Sequence, residues 1–419
     1  MRLCSLLACL LLAACNLVDI HKSQNGKSIN FLDDINVRLA FNCAHEDIPT
    51  PPDEADVLFQ CARWLQKNNQ LKRDPVVNVE IERLYRISAE HGHHKANINL
   101  QNGAMRGHFK LRGWEYLRMS EKLIDAKVAT GYLFVAYFLE QGSAGLQQDS
   151  KMALRYYRKA ADEGNAQAQY FVGDKLDPVA IAPEIAADMY RCAAEQGHGK
   201  AAVALGIILR GKDQYPQALE VLQMGVAGGY EHAASRLANA FQTQAVESSR
   251  YYAQEVDPER AERYKAIWST LADYSYADPK VPEINEIVPL SPAQLPPWDG
   301  KLQWLEARLA NIPPEKPTEA LIHKLAKGKV LDPATGKPMP GSPAFSKANF
   351  PIMVCRSGGP CPESGYWKVM INSWKDHIQH FEEGEIMPTY LMVWTEYRPW
   401  PLRDKIMQRQ ERVEWGLLG

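Results

Sequence analysis

A motif ending in A-x-x-G returns along the first half of this 419-residue chain at a nearly fixed interval. Gly164, Gly197 and Gly229 stand 33 and 32 residues apart, and Gly92 precedes the first of them by 72, a gap wide enough to hold one degenerate copy. Seven residues before each glycine come Tyr85, Tyr157, Tyr190 and Leu222, and three before come Ala89, Ala161, Ala194 and Val226. Steps of four lie on one helical face. A second apolar set, Ala96, Ala168, Ala201 and Ala233, follows each glycine by four. The unit is therefore a pair of short helices joined at a glycine, whose left-handed backbone turns the chain. One such pair cannot bury its apolar face, whereas stacked pairs share an elongated core. The sequence predicts a mainly α solenoid with a concave surface open to a partner.

The best-kept copy runs from Gly145 through Ser150-Lys151-Met152-Ala153-Leu154-Arg155-Tyr156-Tyr157-Arg158-Lys159-Ala160-Ala161-Asp162-Glu163-Gly164 to Gln169. It resembles the Sel-1-like repeat, a short relative of the tetratricopeptide repeat. The copy around Lys122 to Gln141 departs from it, since Asp125 stands where glycine is expected. The N-terminus carries a different signal. Arg2 precedes an apolar run from Leu3 to Ala14 that has the length of a secretory signal and is too short to span a bilayer. It closes on Leu12-Ala13-Ala14-Cys15, which resembles the bacterial lipobox. That resemblance implies lipidation of Cys15, and Asn16, where aspartate would signal retention, implies sorting to the outer membrane.

The expected order is a signal peptide over 1–14, a lipidated tether and lead-in over 15–52, the solenoid over 53–254, a helix and Pro-rich linker over 255–300, and a small α+β domain over 301–419. Strands are expected at 350–356, 365–371, 389–397 and 412–418, and a short helix at 317–327. Val288 to Gly300, Cys361-Pro362 and Gly365-Tyr366-Trp367 are similar to a domain of unknown function that accompanies Sel-1-like repeats in envelope lipoproteins. The oxidising periplasm permits disulfides. Cys43 and Cys61 flank a bend at Pro49, Pro51 and Pro52, and Cys355 and Cys361 flank Arg-Ser-Gly-Gly-Pro, so both pairs are candidates. Cys192 is expected to pack as a small hydrophobe on a repeat helix.

Motifs that carry chemistry are few. With 48 basic against 50 acidic side chains the net charge is −2, so no overall basic field gathers nucleic acid. Gln24 to Ser28 imitates the end of a phosphate loop, but His21 stands where the motif needs glycine. His91, His93, His94 and His198 sit at helix turns without a completing cysteine or carboxylate, and read as polar turn residues. His377 and His380, beside Glu382, Glu383 and Glu385, read as a solvated face. No catalytic, cofactor or metal site is expected. Trp298 and Trp400, next to prolines, are the candidate partner-binding residues, while Trp304, Trp367, Trp374, Trp394 and Trp415 read mainly as core.

The expected function is non-enzymatic capture of a protein partner by a periplasmic lipoprotein that touches the membrane only through its lipid. Resemblance to Sel-1-like lipoproteins encoded beside type VI secretion effectors implies an immunity protein that neutralises a phospholipase-type toxin. The alternatives are an envelope adaptor that assembles or regulates other periplasmic proteins, and a hydrolase in the C-terminal part with His377 or His380 as base.

Overall fold

The structure is a computed structural model that describes residues 40–177, 182–242, 245–246, 248–345, 354–370, 378–396 and 405–417. The signal peptide, Cys15, Trp374, His377 and Trp400 lie outside the described residues. Eleven helices follow one another through the repeats: α1 (Asp53–Asn69), α2 (Pro75–Glu90), α3 (His94–Met105), α4 (Gly113–Asp125), α5 (Thr130–Gln141), α6 (Ser150–Asp162), α7 (Ala166–Leu176), α8 (Pro183–Glu195), α9 (Gly199–Gly211), α10 (Tyr215–Ala227) and α11 (Glu231–Ala240). Local chemistry sets their starts. Asp74 accepts from Val76 N–H and Asp149 from Met152 N–H, and Pro75 and Pro183 occupy first helical positions that need no N–H donor. In α6 the buried face is Ala153, Tyr157, Ala160 and Ala161, as the spacing requires.

The glycine turns share one hydrogen-bond pattern. Gly197 N–H reaches Ala194 O at 2.9 Å and His198 N–H reaches Ala193 O at 3.0 Å, which closes the helix as a Schellman motif. The turns at Gly92, Gly164 and Gly229 repeat it, with φ between 83° and 102°. The degenerate copy is built the same way without glycine: Lys127 takes φ 59°, and Lys127 and Val128 donate to Ile124 O and Leu123 O.

Two segments expected as linker or tether are part of the packed body. The irregular strap from Cys43 to Ile48 crosses the turns of α5 to α8. Glu46 accepts from Thr130 N–H at 2.6 Å and from its hydroxyl at 2.9 Å, capping α5 where the degenerate repeat has only Val128 and Ala129. Ala44 O accepts from Gln169, Glu46 N–H donates to Gly164 O, and Ile48 packs with Leu123 and Phe134. Beyond α12 (Pro258–Asp273), the Pro-rich stretch runs back along the solenoid core. Val281, Ile284 on the one-turn α13 (Ile284–Ile287), Val288 and Leu302 are buried with Ala218, Leu222 and Tyr264. Proline forbids regular structure there but not burial.

The cysteine pairing is corrected. Cys43 is bonded to Cys192, 149 residues away, because the strap lies over the last turn of α8. Cys61, Cys355 and Cys361 are free thiols, and Cys192 is a disulfide partner rather than an isolated hydrophobe. The boundary at residue 301 is also corrected. After α14 (Gln303–Ala310), α15 (Glu319–Gly328) buries Ile322, Leu325 and Ala326 among Leu58, Leu84 and Ile87 of the first helices, and Leu331 joins them. Arg83 holds this return by donating to Pro333 O at 2.6 Å and pairing with Glu319 at 2.7 Å.

A separate core begins after residue 354. β1 (Val354–Arg356), β6 (Glu414–Leu417), β2 (Gly365–Val369) and β3 (Ile378–Phe381) form an antiparallel sheet in that order, with Trp367 paired to Leu417, while β4 (Tyr390–Glu396) and β5 (Lys405–Glu411) form a hairpin. Trp367 and Trp415 fill the sheet core, as expected of them, whereas Trp394 is exposed. β3 and β5 lie outside the strands expected from sequence.

Gly92 and Gly229 have almost the same φ, 83° and 84°, but different surroundings. A Cβ on Gly92 meets nothing within 4 Å, whereas one on Gly229 stands 1.7 Å from Pro279 O of the returning strap. Gly92→Ala is expected to cost about 1–2 kcal/mol, the penalty of a left-handed residue. Gly229→Ala is expected to cost about 1–3 kcal/mol more, since the strap must shift. Urea unfolding of the two variants measures the difference; equal losses would show that the strap does not bear on the turn.

Candidate partner-binding surface

The return of the chain onto α1 creates three adjoining clefts. The first, of about 490 Å³, lies between α1 and the segment from Ala277 to Pro314. On α1 its lining residues Gln60, Arg63, Trp64 and Lys67 fall at steps of three and four, which places them on one face. Opposite them stand Trp304 and Arg308, four residues apart on α14, followed by Ile312 and Pro313. The second cleft, of about 200 Å³, shares Gln70 and continues past Leu71, Arg73, Arg106, His108 and Tyr276. The third, of about 560 Å³, lies across Trp64 and Pro313-Pro314 and is lined by Cys61, Leu65, Arg83, Lys316 and Ile322.

Charge is unevenly placed. Arg63, Lys67, Arg73, Arg106 and Arg308 line the first two clefts against one acid, Asp278, which itself pairs with Lys280 at 3.1 Å. None of the five forms an ion pair among the described residues. Lys67 is pushed below the ordinary lysine range, first by burial and then by the Arg308 guanidinium beside it. Arg308 in turn lies over the rings of Tyr276 and Trp304, 5.5 Å from each centroid, and 5.8 Å from Tyr274. Exposed apolar groups border these cations: Leu71, Tyr276 and Ile312. Arginine, tryptophan and tyrosine around an apolar rim are the composition of protein-binding hot spots. Arg83, by contrast, is neutralised by Glu80 and Glu319. Burial, and then the Glu80 carboxylate, push the Cys61 thiol in the third cleft above the ordinary cysteine range.

The residues singled out from sequence lie elsewhere. Trp298 does not line these clefts: it packs half-buried on the solenoid core, donates from Nε1 to Lys301 O at 2.8 Å and sits below Arg263. Trp64 and Trp304 are the tryptophans of the surface. The legible signal for them was the spacing of cations and aromatics on α1 and α14. His380 is on β3, in edge contact with Tyr366 and 3.8 Å from Glu382. Cys355 and Cys361 donate to backbone carbonyls at Pro360 and Glu363.

The turn histidines cap helices. Nδ1 of His93 accepts from Ala96 N–H at 3.1 Å and Nδ1 of His198 from Ala201 N–H at 3.2 Å, the role Asn165 plays for Ala168 in the intervening repeat. The other ring nitrogen donates to Asp56 in the first case and to Gln167 in the second. An accepting Nδ1 must be unprotonated. Burial, with help from Lys200, holds His198 down at about 4.

Residues 129–165 and 166–198 match the Sel1 repeat, so the chain carries this repeat, and residues 233–339 match a domain of unknown function, DUF6396. The latter covers α11, α12 and the returning segment, and stops before Cys361 to Trp367. No curated protein matches the sequence. Among solved structures, the Pseudomonas aeruginosa protein PA5086 is 27% identical over 60% of this chain and 95% of its own, with a TM-score of 0.46. Immunity protein PA5088 from the same organism is 26% identical over the same shares, with a TM-score of 0.48. Immunity protein Pa5087 is 25% identical over 64% of this chain and 99% of its own, with a TM-score of 0.45.

The histidine cap has a pH signature. The folded chain holds His198 below its ordinary value of 6.5, so the unfolded chain binds the proton more readily. The stability this gives is complete above pH 6.5 and is lost as pH falls from there toward 4. His198→Asn keeps a capping acceptor and removes the titration. The unfolding free energy of the variant is expected to fall less between pH 6.5 and 4 than that of the parent, and identical acid limbs would refute the assignment.

Proposed function

We propose that this protein is a non-enzymatic, lipid-anchored immunity protein that captures an acidic face of a toxin on the cationic clefts between α1 and α14. Sel1 repeats support a protein-binding role. The observation that carries the reading is the group of five cations without ion-pair partners among the described residues, set between Trp64, Trp304 and Tyr276. Such a group attracts an acidic partner at long range and offers apolar anchors at contact. The toxin class follows from the resemblance drawn from sequence: a phospholipase-type effector delivered by type VI secretion. An immunity protein must meet it in the periplasm, and an acyl anchor on Cys15 would concentrate the inhibitor at the membrane under attack. Inhibition would come from covering the toxin's active site or its membrane-docking face.

Deleting the gene is expected to leave the host strain outcompeted by its parent in contact-dependent co-culture. The intact gene should restore survival, and the copy carrying Arg63→Glu, Lys67→Glu and Arg308→Glu should not. With the purified cognate effector, that triple variant is expected to bind about a hundredfold or more weakly while its circular dichroism is unchanged. The parent's affinity should also fall with added salt. Full binding by the variant would place the interface elsewhere, and equal survival of the deletion strain would favour an envelope adaptor.

Anchoring is tested by fractionation. Cys15→Ala is expected to move the protein from the membrane fraction to the soluble periplasm. Retention in the membrane would refute lipidation at that residue.

A further inference from the structure

The strap and the end of α8 bring together four side chains whose chemistry goes beyond a disulfide. Cys43 and His45 are two residues apart in a non-helical segment, and Cys192 and Glu195 are three apart on a helix. Each spacing puts its pair on one face. The strap runs across α8, so the two faces meet. His45 Nε2 lies 3.3 Å from Glu195 Oε2, and Cys43 Sγ lies 3.9 Å from the same oxygen. The ligand atoms of Cys43, His45 and Cys192 all lie within 4.8 Å of one another.

We propose that Cys43, His45, Cys192 and Glu195 form a Zn²⁺ site in the reduced protein, mutually exclusive with the Cys43–Cys192 disulfide. Two thiolates, an imidazole and a carboxylate are all zinc ligands, bound at about 2.0–2.3 Å. In a tetrahedron of such bonds neighbouring ligand atoms stand about 3.3–3.8 Å apart. The nitrogen–oxygen separation already matches this edge and the sulfur–oxygen separation nearly does. Sulfur and nitrogen donors select zinc over calcium or magnesium, which take oxygen.

The site does not depend on the disulfide for its assembly. Glu46 is held by Thr130 N–H, the Thr130 hydroxyl and Asn165, and Ala44 O is held by Gln169. These bonds keep Cys43 and His45 over α8 when the sulfurs part. The exchange balances simply. A dithiol reductant gives two electrons and two protons to the disulfide, leaving two cysteine thiols and its own disulfide. Zn²⁺ then displaces the two thiol protons to solution. One strap would thus be pinned by a covalent bond under oxidising conditions and by a metal under reducing ones.

The full chain is reduced with dithiothreitol, freed of reductant without air, and incubated with Zn²⁺ or, as a spectroscopic probe, Co²⁺. We expect about one metal ion retained per chain, and with Co²⁺ a thiolate charge-transfer absorption that the oxidised chain does not show. Cys61, Cys355 and Cys361 remain in the Cys43→Ser/Cys192→Ser variant, so metal retained there would belong to them and would overturn the site. His45→Ala and Glu195→Gln leave both cysteines in place and serve if the cysteine variant fails to fold. Each is expected to weaken binding about tenfold or more. No retention by the reduced parent, equal retention by the oxidised parent, or unchanged affinity in both of these single variants would refute the proposal.

Discussion

The absence of a side chain at the turn between repeat helices is the constraint on which the rest of the structure depends. A left-handed residue at that position lets each helix end in a Schellman motif and lets the next begin at once. Glycine also leaves the outer side of the turn bare, and the protein builds on it. His45 carbonyl carbon lies 2.5 Å from where a Gly164 Cβ would stand, and Pro279 O lies 1.7 Å from the equivalent point at Gly229. The same residue that closes the helix pair is a landing place for backbone arriving from elsewhere in the chain. Lys127 meets the first need, since it adopts the left-handed backbone without being glycine.

From this follows the way the array is closed. Repeat solenoids have terminal pairs with an uncovered apolar face that must be capped. Here the caps are the chain's own segments. α15 covers the first helices with Ile322, Leu325 and Ala326, and α12 with the Pro-rich return covers the last repeats with Tyr264, Val281 and Val288. Several backbone carbonyls of these segments accept hydrogen bonds from side chains: Gln223 donates to Val288 O, Trp64 to Asn311 O, and Arg260 to Pro289 O and Ala293 O. The clefts between α1 and α14 are a consequence of this closure, since one wall comes from each end of the array.

What the sequence disclosed follows the same division. Helix pairs were legible because burial on a helix leaves a period, and the alanines at four-residue steps recorded it. The Pro-rich return left no period. Its burial is decided by individual residues meeting a surface formed more than fifty residues earlier, so it read as a linker. The disulfide was misread for a related reason. Short loops make Cys43–Cys61 and Cys355–Cys361 look natural, but pairing follows spatial approach, and the strap that brings Cys43 to Cys192 is held by Glu46 acting as a helix cap from a distant segment. Histidine caps were hidden because capping by an imidazole nitrogen falls outside the usual Ser, Thr, Asp and Asn pattern. β5 has only two apolar residues, Ile406 and Met407, and they are adjacent, so it had no apolar alternation to report it, and it pairs with β4.

Net charge misleads in the same way. A balance of −2 over the chain argues correctly against a general basic field, yet it averages over faces that differ greatly. Some arginines are paired within a turn, as Arg158 is with Asp162 and Arg263 with Glu259, and others are drawn into buried networks, as Arg86 is with Glu82 and Glu115. Pairing removes them from the long-range potential. Arg63, Lys67, Arg73, Arg106 and Arg308 have no ion-pair partner among the described residues and share two adjoining clefts, where burial and then the Arg308 guanidinium depress Lys67. A fold gains nothing from repulsion of this kind. An incoming acidic partner would relieve it.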